Sequence, residues 1–363
     1  MHAHNGTMMR NVLALVIAAL PGFCADWNAQ RAAQYLDSRQ REWIAWKPAA
    51  ASGGVCISCH TQLTYLLARP ALRRALGEDG RTSFETTLLD SLRARVDVHD
   101  PTALLAAFSK EPVASQALGV EAIFAALFLT LEHPGSPDAN RALDRMWSLQ
   151  IREGKNQGAW AWFSLNLDPW ETPDSPFYGA ALAAVAAGST PPEYRNRPEI
   201  RERIAALESY FERERSNQPL HNRLMLLWAS AKLPDVLPSS SRQSLLDEIW
   251  SKQEADGGWT IASLGPWKNR PSAPPSTGSN AYATALAAFA IEQAGVSPTD
   301  ARLARALRWL KSHQDAESGS WAADSMNKHF EDGSMQIRFM RDAATGFAAL
   351  ALIGPDVEPH AAR

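Results

Sequence analysis

The chain has 363 residues, enough for one large domain or two small ones around a sizeable core. Charged residues make up 21% and the formal net charge is −3, so no broad positive field exists to hold nucleic acid or an anionic membrane. Three Cys cannot draw a disulfide framework, while 13 Trp against 6 Tyr supply stacking surface suited to turns, cavities and apolar ligands.

At the N-terminus Arg10 precedes VLALVIAALPGF (12–23), an apolar run too short to span a bilayer comfortably. It reads as the core of an export signal, residues 1–25, which directs the chain to the periplasm. Cleavage after Ala25 or Cys24 leaves Phe23 or Gly22 at the −3 position, and the bulk of Phe23 weighs against lipid on Cys24. No later segment reads as a transmembrane span. Residues 26–360 are expected to form one domain, with residues 30–77 as its first hairpin.

Helix-like segments then follow in pairs. RAAQYLDSRQ (31–40) precedes CISCHTQLTYLLARPALR, and FETTLLDSLRARV precedes SQALGVEAIFAALFLTLE, within 84–132. RALDRMWSLQ (141–150) precedes FYGAALAAVAAG (177–188), and RERIAALESYFERE precedes HNRLMLLWASAKL, within 201–233. IWSKQ (249–253) precedes NAYATALAAFAIEQAG (280–295), and RALRWLKSHQ (305–314) precedes DAATGFAALALIG (342–354). Six helical hairpins of similar period bury their faces only against one another, and the Ala-rich second helices suit a crowded inner layer. Pro and Gly fall between helices and no strand-like alternation of useful length occurs, so the class is all-α.

Three of the hairpins share a Gln followed by a polar loop and Gly-x-Trp: Gln150 with Trp160, Gln253 with Trp259, Gln314 with Trp321. This element resembles the QW repeat of squalene–hopene and oxidosqualene cyclases and their prenyltransferase relatives, over roughly 85–355 and more loosely 31–77. The resemblance implies a single α/α toroid of about six hairpins around an apolar cavity for isoprenoid-like ligands. It does not supply a catalytic acid. The Asp-x-Asp-Asp string is missing, DVHD (97–100) has the wrong spacing, and the chain is long enough for one toroid only.

GGVCISCHTQ (53–62) places Cys56, Cys59 and His60 in a C-x-x-C-H arrangement, the spacing that attaches a c-type haem. Two thioethers would form to the porphyrin, and His60 would be the axial metal ligand to the haem iron. A vicinal disulfide is the plain alternative. An axial Met would have to come from a distant hairpin, such as Met225, Met326, Met335 or Met340, and an open five-coordinate iron is equally compatible. The expectation is covalent haem c beside an apolar small-molecule ligand, serving redox chemistry or electron transfer to a protein partner. The alternative is a haem-independent lyase or isomerase of the terpenoid-cyclase type, or a non-catalytic binding protein.

The densest aromatic and acidic stretch, GAWAWFSLNLDPWETPDSPFYGA (158–180), offers Asp168, Glu171 and Asp174 as catalytic acids beside Trp160, Trp162 and Trp170. A desolvated carboxyl among aromatic faces can donate a proton, and Glu171 is the first choice. Asp174 or Ser175 before Pro176 also reads as a helix cap, as do Asn280 and Asp342. Gln150, Gln253 and Gln314 read as pins between a loop and a neighbouring helix. The long segment 325–346 and the Pro-rich loop 266–280 are placed at the mouth of the ring.

Overall fold

The computed structural model describes residues 27–100 and 110–355, so residues 1–25, where an export signal is expected, lie outside the described residues with Cys24. Six outer helices, α1 (Ala29–Ala45), α3 (Ser83–Arg95), α5 (Pro137–Ser148), α8 (Pro198–Glu214), α10 (Ser239–Ser251) and α12 (Ala301–Ser312), each precede an inner one. The inner helices are α2 (Gln62–Leu76), α4 (Val113–Glu132), α6 (Ser175–Gly188), α9 (Leu220–Lys232), α11 (Ala281–Gln293) and α13 (Phe339–Ile353), and a short α7 (Pro192–Arg195) follows α6. Every hairpin expected from the sequence is present, and the all-α toroid stands.

The inner ring runs α4, α6, α9, α11, α13, α2, with α3 touching both α2 and α4 where it closes. Small side chains make this layer possible. From Ser175 to Ala187 every residue of α6 is buried, as is every residue of α11 from Ala281 to Glu292. Outer helices are amphipathic by contrast; α5 buries Ala139, Ala142, Leu143, Met146 and Trp147 at helical spacing and leaves its charges in water. At 20 residues and mean hydropathy 1.7, α4 is long and apolar enough to cross a membrane, which corrects the reading of no later span by composition. Most of its surface is nonetheless buried in the toroid core, which accounts for its apolarity.

All six inner helices point the same way. Ala71, Leu131, Gly188, Lys232, Gln293 and Leu350, one from the C-terminal end of each, line a single cavity of about 640 Å3. Their N-terminal ends therefore gather at the other mouth.

The three glutamines are pins. Gln150 Nε2 donates to Gly158 O and Arg203 O, Gln253 Nε2 to Gly257 O and Arg302 O, and Gln314 Nε2 to Gly319 O and Asn28 O, all at 2.9–3.0 Å. Each repeat Trp is buried with its Nε1 donating to a carbonyl at the end of the preceding outer helix: Trp160 to Met146 O, Trp259 to Ile249 O, Trp321 to Leu310 O. Asn280 caps α11 by accepting from Tyr282 N and Ala283 N. Asp342 caps nothing; it lies inside the first turn of α13 with a fully buried side chain.

Candidate functional site

The loop between α1 and α2 turns through a two-residue antiparallel ladder, β1 (Ala50–Ala51) with β2 (Gly54–Val55). Gly54 sits at φ +144°, and a Cβ there would lie 2.1 Å from Ser91 Oγ, so this turn seats on α3 only with glycine. Val55 N donates to Ser91 Oγ, Arg95 donates to Val55 O, and Trp43 Nε1 donates to Cys56 O. These contacts fix Cys56 to Thr61 as a turn ahead of α2, where the haem reading had placed the motif on the helix itself.

His60 follows in that turn, buried, with Phe339 stacked on its ring at 3.7 Å between centroids. Its tautomer follows from its neighbours. Ser58 Oγ donates to Gln62 Oε1 (2.6 Å) and Thr61 Oγ1 donates to Asp342 Oδ2 (2.8 Å), so both hydroxyls have spent their protons. His60 Nδ1, 3.1 and 2.9 Å from those oxygens, must carry a hydrogen and donate it, which leaves Nε2 as an unprotonated acceptor. Burial pushes the imidazole pKa down to about 3, so the ring stays neutral near neutral pH.

Beneath it lies an ion pair with no exposure on either side. Asp342 Oδ1 accepts from Arg39 Nε and Tyr35 Oη, each at 2.8 Å. Burial raises the Asp342 pKa while Arg39 opposes the rise.

Glu171 approaches from the loop before α6. Leu167 and Glu171 exchange both backbone hydrogen bonds (3.1 and 2.9 Å), closing a tight turn. Asp168 pairs with Arg270 (3.0 Å), and Asn327 bonds the Asp168 backbone N–H and carbonyl at 2.9 and 2.7 Å. Trp162 Nε1 donates to Trp170 O, and Trp162 fits only because residue 179 is glycine: a Cβ would meet its ring at 2.2 Å. Burial raises the Glu171 pKa to about 7, opposed by the Cys59 thiol, whose Sγ lies 3.9 Å from Glu171 Oε1. Burial likewise holds the Cys59 thiol well above its usual range and Cys56 at about 12, so neither is a thiolate near neutral pH.

His60, Trp170, Glu171, Lys328, Phe339 and Met340 line one cavity of about 300 Å3 at the N-terminal mouth of the inner helices. The segment 325–346, a loop that runs into the first turns of α13, forms one wall of it; the 266–280 loop braces that wall through Ser272 O, which accepts from His329 N, and holds the opposite Asp168 side through Arg270. Of the three acids, Asp168 lines the cavity with its carboxylate spent on Arg270, and Asp174 is exposed and makes no capping bond. Glu171 is the one whose carboxyl bonds only a thiol. Sequence reasoning missed the neutral acceptor on His60 and the Asp342 ion pair. A signal existed, since both sit at the N-terminal ends of inner helices that end at one mouth.

The haem and cytochrome reading is corrected here. The Cys56 thiol has Glu121, Arg95 and Glu171 as charged neighbours, and the Cys59 thiol has Glu171, Cys56 and the buried tyrosines Tyr178 and Tyr282 around it. The cavity beside His60 is lined by neither Cys56 nor Cys59, so it does not open onto the two thiols that would have to bond a macrocycle ligated by His60. As packed, the three residues do not fit a porphyrin. Met225 is core, and Met335 Sδ accepts from Arg39; Met340 alone of the four methionines reaches the His60 cavity. Among the described residues no group of three or more His, Cys, Asp and Glu side chains could hold a metal ion.

No family model and no curated protein matches the chain. Among solved structures it is similar to a glycosyl hydrolase family 88 protein from Bacteroides vulgatus, with TM-score 0.53 and 14% identity over 90% of this chain and 99% of that one. It is also similar to a polysaccharide lyase, with TM-score 0.53 and 11% identity over 90% of this chain and 96% of that one. At such identity the likeness speaks for the α/α toroid alone. The two toroids named are a glycosyl hydrolase and a polysaccharide lyase, not squalene cyclases or prenyltransferases, which corrects that assignment.

Proposed function

We propose that the protein is an enzyme of the hydrolase or lyase type that cleaves a C–O bond of a carbohydrate-like substrate, with Glu171 as its general acid–base. One observation carries this reading: a single carboxyl with a pKa of about 7 sits among Trp170, Phe339 and Met340 in a cavity at the ring mouth. The kinship of fold with a glycosyl hydrolase and a polysaccharide lyase supports the substrate class by analogy. Aromatic faces suit the C–H surface of a sugar ring, and the neutral His60 Nε2 accepts from a substrate hydroxyl.

In the reaction, protonated Glu171 gives its proton to the leaving oxygen as the C–O bond breaks and the bonding pair goes to that oxygen. The carboxylate then takes a proton from attacking water, or from the adjacent carbon if the product is an alkene. A group titrating near neutrality can serve in both steps. An exported location, expected from residues 12–23, suits a polymeric substrate.

The test is a panel of neutral and acidic oligosaccharides, followed by new reducing ends and by the absorbance of an unsaturated product. Glu171→Gln should lower kcat by about 100-fold or more on any substrate that turns over. Retained activity in that variant would sink the assignment. An absorption spectrum of the purified protein belongs in the same experiment, because haem that survives solvent extraction would also overturn it.

A further inference from the structure

Behind Trp170 lies a buried polar cluster that the reading above does not use. It holds the second residues of two inner helices, His221 of α9 and Tyr282 of α11, both fully buried. Trp170 stands between this cluster and the site, its ring 5.8 Å from His60 on one side and 5.5 Å from Tyr282 on the other.

The hydrogen bonds here have a forced direction. Trp170 Nε1, which can only donate, reaches Tyr282 Oη at 3.0 Å. Asn222 Nδ2 donates to Asp174 O (3.1 Å) and to Gln218 Oε1 (3.0 Å), which fixes the Asn222 amide with Oδ1 as its acceptor. That oxygen lies 3.0 Å from His221 Nδ1, so Nδ1 carries the hydrogen. His221 Nε2 is then the acceptor, and the Tyr282 hydroxyl donates to it at 2.8 Å. Burial lowers the His221 pKa to about 4, so the ring is neutral and the order of donors holds at neutral pH. The chain starts at Trp170 and returns to the carbonyl of Asp174, so its two ends grip the same loop on either side of Glu171.

We propose that Tyr282, His221 and Asn222 are positioning residues that hold the Glu171 loop at the cavity through this one directed chain. The inference rests on Glu171 being the acid. None of the three touches the substrate cavity, yet a slack loop would misplace the carboxyl, and a misplacement near 1 Å can cost on the order of 100-fold in rate.

The test reads the infrared carbonyl band of protonated Glu171 at one mildly acid pH, identified as the band lost in Glu171→Gln. Tyr282→Phe and His221→Leu should shift or broaden that band and lower kcat by about 10- to 100-fold with a smaller change in KM. His221→Gln, whose amide can both accept and donate, should restore the band. Gln150→Ala, destabilised far from the chain, should leave it unchanged. If Tyr282→Phe does not fold, the His221→Leu and His221→Gln pair decides the matter. A band unmoved in folded His221→Leu overturns the proposal even where Glu171→Gln is inactive. A band that moves while Glu171→Gln stays active upholds the strap and overturns the acid assignment instead.

Discussion

At Gln150, Gln253 and Gln314 the loop leaving an outer helix is held by one amide that reaches a loop glycine carbonyl and a carbonyl of the next outer helix. The loop carrying Glu171 is held instead by Arg270, Asn327 and Tyr282, which come from three other parts of the chain, and by its own Trp162. The first device repeats and is local to each hairpin. The second is assembled once, across the ring. The difference teaches where strength and chemistry reside: repeated pins make the toroid, and a single non-repeating constellation at one mouth makes a site. Breaking the two should therefore have different consequences.

The largest effect should come from the ion pair under His60. Asp342→Ala leaves Arg39, at zero exposure, with the part-exposed Glu42 as its one remaining carboxylate, and strips the Tyr35 and Thr61 hydroxyls of their acceptor. Removing one member of a buried pair costs about 3–5 kcal/mol, because the remaining charge keeps its desolvation penalty. Urea unfolding at neutral pH measures it, and a loss under about 1 kcal/mol would mean that Glu42 alone suffices for Arg39.

Next is a pH effect confined to the site. The folded pKa of Glu171, about 7, lies above the ordinary 4.5, so the folded state holds this proton where the unfolded chain has released it. Stability therefore falls as pH rises between about 4.5 and 7, and levels off above the folded pKa. The slope should amount to about 2–3 kcal/mol over that window, and Glu171→Gln should remove it. Thermal unfolding of the two proteins across this range is the check; parallel curves would mean that Glu171 is solvated.

The sequence made the pins and the six hairpins legible because they repeat: Gln, Gly-x-Trp and a small-residue helix recur at steady spacing. Glu171 was partly legible, since it sits among aromatics just before a helix start. Asp342 was misread as a cap because its local setting, ahead of an Ala-rich run, looks like one, while its partners Tyr35, Arg39 and Thr61 lie 307, 303 and 281 residues away. The C-x-x-C-H spacing names three residues but says nothing of which spaces they open onto, and here neither thiol lines the cavity beside His60. Distant contacts leave no local signature, and an aperiodic site is built from them.

The smallest effects separate the pins from one another. Gln253 Nε2 donates to two carbonyls, and its Oε1 accepts from the exposed Arg305 (2.9 Å), a bond that water can replace. Gln314 does more, for it also accepts from Asn28 N at 2.6 Å while donating to Asn28 O, so one amide joins positions 286 residues apart and ties α12 to α1. The Trp27–Trp321 pair, 6.1 Å between rings, packs beside that joint. Gln314→Ala should cost about 1 kcal/mol more than Gln253→Ala, since both lose two bonds to carbonyls but Gln314 also loses the bond from Asn28 N, and a hydrogen bond is worth on the order of 1 kcal/mol. Hydrogen exchange would localise the difference. Gln314→Ala should speed exchange through α1, because a ring opened there frays at its end, whereas Gln253→Ala should loosen only its own loop. Equal exchange in α1 for both variants would mean that the ring is closed by the packing of α13 on α2, with the pin contributing no more than its two companions.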